Sequence, residues 1–184
     1  MALKYAGIEV EHREIELRNK PSSMLQASPK GTVPVLCIED RVIDQSLDIM
    51  RWALEQNDPK QWLAVDVLAA QAWIEKNDGP FKKLLDQYKY PNRHPELNQE
   101  EVLKDAIEFM LNPMEQALNT NNYLLGNQLS WVDIAIFPFI RQFSMVNPTQ
   151  FDGLPLPALR KWLHQHLESG LFVSVMDKYS AWID

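Results

Sequence analysis

The chain has 184 residues, 46% of them hydrophobic, and its 25 acidic against 18 basic side chains give a net charge of -7 at neutral pH. That charge repels phosphate backbones, which excludes nucleic acid as an expected partner, and a single cysteine, Cys37, excludes an internal disulfide and makes the cytoplasm the expected compartment. The most apolar stretch, 129–140, is broken by Asp133 and Pro138, so neither a signal segment nor a membrane span is expected.

Met1 to Ala6 reads as the end of a helix, with Gly7 as its left-handed terminator. Six residues are marginal for a helix in water, so a preceding segment is expected. Residues 10–17 read as a strand whose charges, Glu11, Arg13, Glu14 and Glu16, suit an exposed sheet edge. Pro29-Lys30-Gly31 is a turn signal. Pro34, between Val33 and Val35, is either a strand-start proline or a cis-proline turn that leaves the Val33 backbone free to pair with an extended ligand. Residues 35–38 and 41–43, around Glu39-Asp40, form a tight hairpin. Cys37, in that strand run, is expected to be buried and inert. Ser46 is expected to cap a helix running to about Asn57, with Asp48 in its first turn.

After Asn57-Asp58-Pro59-Lys60 the pattern changes. Apolar residues recur at helical spacing, from Trp62, Val65, Ala69 and Trp73 to Val102, Ile107, Met110, Met114 and Leu118. Helical segments of 20 or more residues, joined by proline-bearing loops at 91–95 and 148–157, suit a bundle. Ser130 is an N-cap candidate, Asp133 completes a short-armed capping box, and Leu129 with Ile134 forms a hydrophobic staple, which predicts a helix over 130–146. The expected organisation is an α/β half, 1–57, and an all-helical half, 62–184. His164 and His166 stand two apart and face apart on a helix; with His12 and His94 scattered and one cysteine, no metal site is expected.

The string Ser28-Pro29-Lys30-Gly31-Thr32-Val33-Pro34-Val35-Leu36, followed by Asp44-Gln45-Ser46-Leu47-Asp48-Ile49, resembles the thioredoxin-like half of the glutathione transferases. Leu17-Arg18-Asn19-Lys20-Pro21 resembles their omega-like and dehydroascorbate-reductase-like branch, although Gln45 replaces that branch's glutamate. Ser130-Trp131-Val132-Asp133 is similar to the buried capping motif of the family's helical domain. The resemblance covers the whole chain. It implies an N-terminally truncated α/β thioredoxin-like domain followed by an all-α bundle, with glutathione as co-substrate and a homodimer through the first two helices of the bundle. It also implies that Val33-Pro34 is cis.

Carried over by position, the resemblance assigns the cysteinyl part of glutathione to the Val33 backbone beside Pro34. It gives the γ-glutamyl end to Gln45 and Ser46 and the glycyl carboxylate to Lys20. Read without the resemblance, Ser46 is a plain N-cap, a role that can hold together with ligand binding, and Lys20 is a solvated lysine. Tyr88, Tyr90 and Arg93 line a candidate substrate cleft or are packing and a solvated loop. The family's first strand and the turn bearing its catalytic Cys, Ser or Tyr are expected upstream of Met1, so no catalytic residue is expected in this chain. The implied activity of the full-length product is glutathione transfer to small electrophiles or reduction of mixed disulfides. The alternative is a non-catalytic binding or interaction module of the same fold.

Overall fold

A computed structural model describes all 184 residues. The chain separates into two compact units, 1–60 with 170–184, and 61–169. Residues 170–184, which the helical periodicity leaves in the second half, thus belong with the first unit.

In the first unit α1 (Ala2–Tyr5) ends as its sequence predicts. Gly7 sits at φ +71, its N–H meets the Lys4 carbonyl at 3.2 Å, and the Ile8 N–H meets that of Leu3 at 2.9 Å. This pair of bonds is a Schellman closure, which needs a residue that tolerates positive φ. Ala2 and Ala6 then pack on Ala53 of α3 (Ser46–Gln56), with Leu3, Ile8, Met50 and Trp52 around them. Tyr5 donates to Asp58 Oδ1 at 2.8 Å and accepts from the Lys60 N–H, fixing α1 to the segment after α3. Burial and the Asp58 carboxylate push the Tyr5 phenol up to about 12, because both disfavour the phenolate.

The sheet is a two-stranded antiparallel hairpin, β1 (Leu36–Ile38) and β2 (Arg41–Ile43), in the register Leu36↔Ile43, Cys37↔Val42, Ile38↔Arg41. Its turn is Glu39-Asp40, with Glu39 at φ +48. The expected strand at 10–17 does not form. A strand is defined by its ladder, and residues 10–15 have none. Arg13 instead makes two hydrogen bonds to Glu11, at 3.0 and 2.9 Å.

What these residues do meet is the end of the chain. Past α11 (Gly170–Val173), the Tyr179 ring lies 4.2 Å from His12, Arg13 lies over Trp182 at 4.5 Å, and the Trp182 N–H donates to the Glu14 carbonyl at 2.7 Å. Asp184 Oδ2 accepts from Ser22 N, Ser22 Oγ and Ser23 N, at 2.5, 2.7 and 3.2 Å, at the start of α2 (Ser22–Ala27).

The second unit is helical. The stretch from α4 (Val67–Lys76) to α5 (Lys82–Lys89) is continued through a π turn at Asn77–Phe81, and that from α6 (Gln99–Ala106) to α7 (Asn112–Thr120) through one at Ile107–Leu111. Each π turn accompanies a proline, Pro80 within the first and Pro113 just after the second. A missing N–H and a ring that crowds the carbonyl four residues back widen the helix there. Then come α8 (Trp131–Val146), α9 (Pro148–Asp152) and α10 (Pro157–Leu167). The expected loop at 148–157 is therefore half helix, since Pro148 and Pro157 each occupy a first helical position. Trp62, Phe81, Met110, Met114, Ile136, Phe137, Phe143 and Trp162 are among the core residues.

The capping box at Ser130 is present, and Asp133 does more than close it. Its Oδ2 accepts from Ser130 N at 3.1 Å and Ser130 Oγ at 2.7 Å, while its Oδ1 accepts from Leu124 N at 2.9 Å and Trp162 Nε1 at 3.0 Å. Glu115 is a second buried carboxylate: it accepts from the N–H groups of Ala158 at 3.1 Å and Leu159 at 2.7 Å, capping α10 from a distant helix.

Candidate functional site

The hairpin register gathers most of the expected site residues. Leu36↔Ile43 is the last pair of the ladder, so the segment 33–35 enters the hairpin and the segment 44–46 leaves it at the same end. The two motifs thus meet at one open end of the hairpin, opposite its Glu39-Asp40 turn. The Val33–Pro34 peptide is cis. Val33 is 49% exposed, and neither its N–H nor its carbonyl has a partner in the chain. An unpaired, exposed backbone of this kind has its N–H and carbonyl free to receive another peptide.

Gln45 and Ser46 are both exposed at the start of α3. Gln45 holds the N-cap position, φ -121 and ψ 130, and no side chain caps the helix. The expectation that Ser46 is the cap is therefore corrected: it is the first helical residue, one position too late for its hydroxyl to reach back to the following N–H groups. The consequence is a hydroxyl and a first turn of N–H groups left open together, the arrangement that attracts a carboxylate.

Lys20 is half-buried and makes no ion pair. It lies beside Gly31: a Cβ there would be in ordinary contact with Lys20 Nζ at 3.7 Å and in tight contact with Leu25 Cδ2 at 3.2 Å. Gly31, at φ +62, lets the turn take a left-handed conformation.

Asp44 stands between the two motifs. Ser28 Oγ donates to its Oδ2 and Lys30 Nζ to its Oδ1, both at 2.9 Å. Lys30 first, and Ser28 second, hold this carboxyl below the usual carboxylate range, because both bond the charged form. Lys30 is thereby paired with Asp44, whereas Lys20 has no ion-pair partner in the chain.

The residues expected to line a substrate cleft separate. Tyr88 is a core side chain: it stacks on Phe143 at 4.9 Å, its hydroxyl donates to Gln150 Oε1 at 3.0 Å, and burial raises its pKa. Tyr90 is half-buried and Arg93 exposed, and the Arg93 guanidinium lies over the Tyr90 ring at 4.2 Å. For Tyr88 packing is what the structure displays; Tyr90 and Arg93 remain at the surface of the helical unit.

Cys37 is exposed, against the expectation of a buried thiol. It pairs with Val42 on the hairpin face that stays open, Val42 being 43% exposed. His164 and His166 do face apart. His164 is exposed beside an open groove of about 590 Å3 between α10 and the 122–127 turn. His166 is buried against Trp162, with Nδ1 2.9 Å from the Trp162 carbonyl, and burial lowers its pKa. No three His, Cys, Asp or Glu side chains converge as metal ligands, and no helix is long and apolar enough to cross a membrane.

Residues 1–62 match the family model described as the N-terminal domain of glutathione S-transferases, and residues 80–170 match that of the C-terminal domain. Glutathione S-transferase U19 of Arabidopsis thaliana is 29% identical over 100% of this chain and 76% of its own length. Glutathione S-transferase 3 of Caenorhabditis elegans is 27% identical over 71% of this chain and 66% of its own length. Among solved structures, a ternary complex of the bacterial transferase BphK matches with a TM-score of 0.78 at 24% identity, covering 94% of this chain and 88% of its own. A family member from Pseudomonas fluorescens, solved with two glutathione molecules bound, matches with a TM-score of 0.79 at 16% identity, covering 94% and 84%.

Proposed function

Since the chain belongs to the glutathione S-transferase family, with a thioredoxin-like unit and a helical unit, we propose that the open end of its hairpin binds the tripeptide glutathione. The observation that carries this reading is the grouping of unengaged polar groups there. The Val33 backbone, the Gln45 side chain and the Ser46 hydroxyl lie at one exposed end of a hairpin, next to an uncapped helix start. In this reading the Val33 N–H and carbonyl pair with the cysteinyl residue. Gln45 and Ser46, with the first N–H groups of α3, hold the γ-glutamyl carboxylate, and Lys20 pairs with the glycyl carboxylate.

The chemistry that such a site serves is transfer of the glutathione sulfur. Its thiolate forms a bond to an electrophilic carbon while the leaving group departs with the electron pair. Alternatively it attacks the glutathione sulfur of a mixed disulfide, releasing glutathione disulfide and the substrate thiolate. The residues named above bind and orient the tripeptide, and we assign thiol activation to none of them. No metal is invoked.

The reading places the protein in the cytoplasm as a homodimer, paired through the start of its helical unit. Leu63, Val67 and Leu68 are exposed there at 36%, 74% and 78%. Isolated exposed apolar side chains are ordinary, but adjacent ones this open suit an interface. Light scattering at micromolar concentration should give twice the chain mass, and Leu68→Glu the single mass; a monomeric parent refutes the pairing.

The site itself is tested by titrating reduced glutathione into the 184-residue chain. Binding in the parent and a loss of about tenfold in Ser46→Ala are expected, the loss corresponding to one hydrogen bond to a charged group. Absence of binding at millimolar glutathione, or full affinity in Ser46→Ala, overturns the reading.

A further inference from the structure

Beyond the ladder pair Leu36↔Ile43, no backbone hydrogen bond joins residues 28–34 to residues 44–46. The site residues Val33 and Ser46 therefore lie on two segments that no backbone hydrogen bond holds together. The hydrogen bonds that tie those segments together are the two at Asp44, from Ser28 Oγ to one carboxylate oxygen and from Lys30 Nζ to the other. Both ends of the tether are anchored. Ser28 is 1% exposed, with its N–H on the Met24 carbonyl at the end of α2 and its own carbonyl on Gly31 N. Asp44 follows Ile43, which is buried and paired in the sheet, and precedes the N-cap of α3.

We propose that Asp44 is a positioning residue for the glutathione site: it sets the separation between the Val33 backbone and the Ser46 hydroxyl without touching the ligand. This rests on the glutathione-binding reading above. The physical argument concerns tolerance. A peptide held simultaneously by a backbone pair on one segment and a hydroxyl on another needs both in place, and supporting contacts decide whether a built site is tight or an ångström too loose. The ladder stops three residues short of both groups, so it cannot set that distance alone. The chemistry of Asp44 suits the task. One carboxylate accepts from two donors at once, and the Lys30 arm adds charge to the hydrogen bond. A neutral residue in its place leaves the buried Ser28 hydroxyl and the Lys30 ammonium competing for a single acceptor, or for none.

The test is a double-substitution cycle on reduced glutathione affinity, read by calorimetry, with thermal melting measured on every variant. Asp44→Asn is expected to weaken binding about tenfold, the size typical of groups in one network, while the melting midpoint moves little. Because Asp44 acts through the placement of Ser46, Asp44→Asn combined with Ser46→Ala should lose much less than the roughly hundredfold of two independent sites. Unchanged affinity in Asp44→Asn, or fully multiplicative losses, overturns the inference and leaves the glutathione reading standing. Absence of binding in the parent overturns the reading and the inference with it. If Asp44→Asn does not fold, Lys30→Met and Ser28→Ala each cut one arm of the tether. Parent affinity in both of those overturns the inference, and weaker binding with an unchanged melt supports it.

Discussion

Replacing Asp133 with alanine should be among the most damaging single changes in the helical unit. Its carboxylate is 0% exposed and accepts four hydrogen bonds, from Leu124 N, Trp162 Nε1, Ser130 N and Ser130 Oγ. All three donor residues are nearly buried, at 3%, 2% and 1% exposure, so water cannot replace the lost acceptor. The Ser130 hydroxyl can rotate to another acceptor, but the three N–H groups cannot. At about 1–3 kcal/mol for each buried orphan the gross loss is about 3–9 kcal/mol. Relief from holding a buried carboxylate offsets several kcal/mol of that, leaving a net destabilisation of about 2–4 kcal/mol. Asp133→Asn is the discriminating control. It keeps one oxygen for Leu124 and Trp162 but turns an NH2 group toward the Ser130 N–H, so about half the loss is expected. Urea unfolding followed by far-ultraviolet circular dichroism reads both as a shift in midpoint at constant slope. An Asp133→Ala variant within about 1 kcal/mol of the parent, or an asparagine variant worse than alanine, would refute the reasoning that the four acceptor bonds are what hold this helix start.

Glu115→Ala should cost about 2–3 kcal/mol, because it removes a buried carboxylate from two N–H groups at the start of α10; near-parent urea stability would show that water or backbone shifts cap that helix instead. Tyr5 gives a pH dependence of known sign. Its folded pKa of about 12 is above the ordinary value near 10, so its contribution is complete below pH 10 and lost as pH rises through about 12. Spectrophotometric titration should show a late-ionising component, to which buried Tyr88 also contributes, that shrinks by one tyrosine in Tyr5→Phe; an unchanged titration curve in that variant would refute the assignment.

How far the sequence alone reached depends on how local each signal is. The helix end at Gly7, the hairpin around Glu39-Asp40, the helical stretches after 62 and the box at Ser130 were all legible, because each is encoded within a few residues by turn chemistry or by i, i+4 spacing. The hairpin also brought Val33 and Ser46 to one end: once the turn is placed, antiparallel register follows, and the family resemblance then named the ligand. The misplaced elements were those whose state depends on a neighbour. Residues 10–17 have strand composition but no ladder, Cys37 sits in an apolar run whose face stays open, and Ser46 fell one position inside the helix it was expected to cap. Partners distant in sequence left no local trace at all. Asp44 reaches back to Ser28 and Lys30, Glu115 caps a helix 43 residues on, and Asp184 meets Ser22 across 162 residues. Each of those carboxylates reads as an ordinary surface acid in the sequence. A hydrogen bond needs its donor within about 3 Å, and only the folded chain decides which donor arrives there.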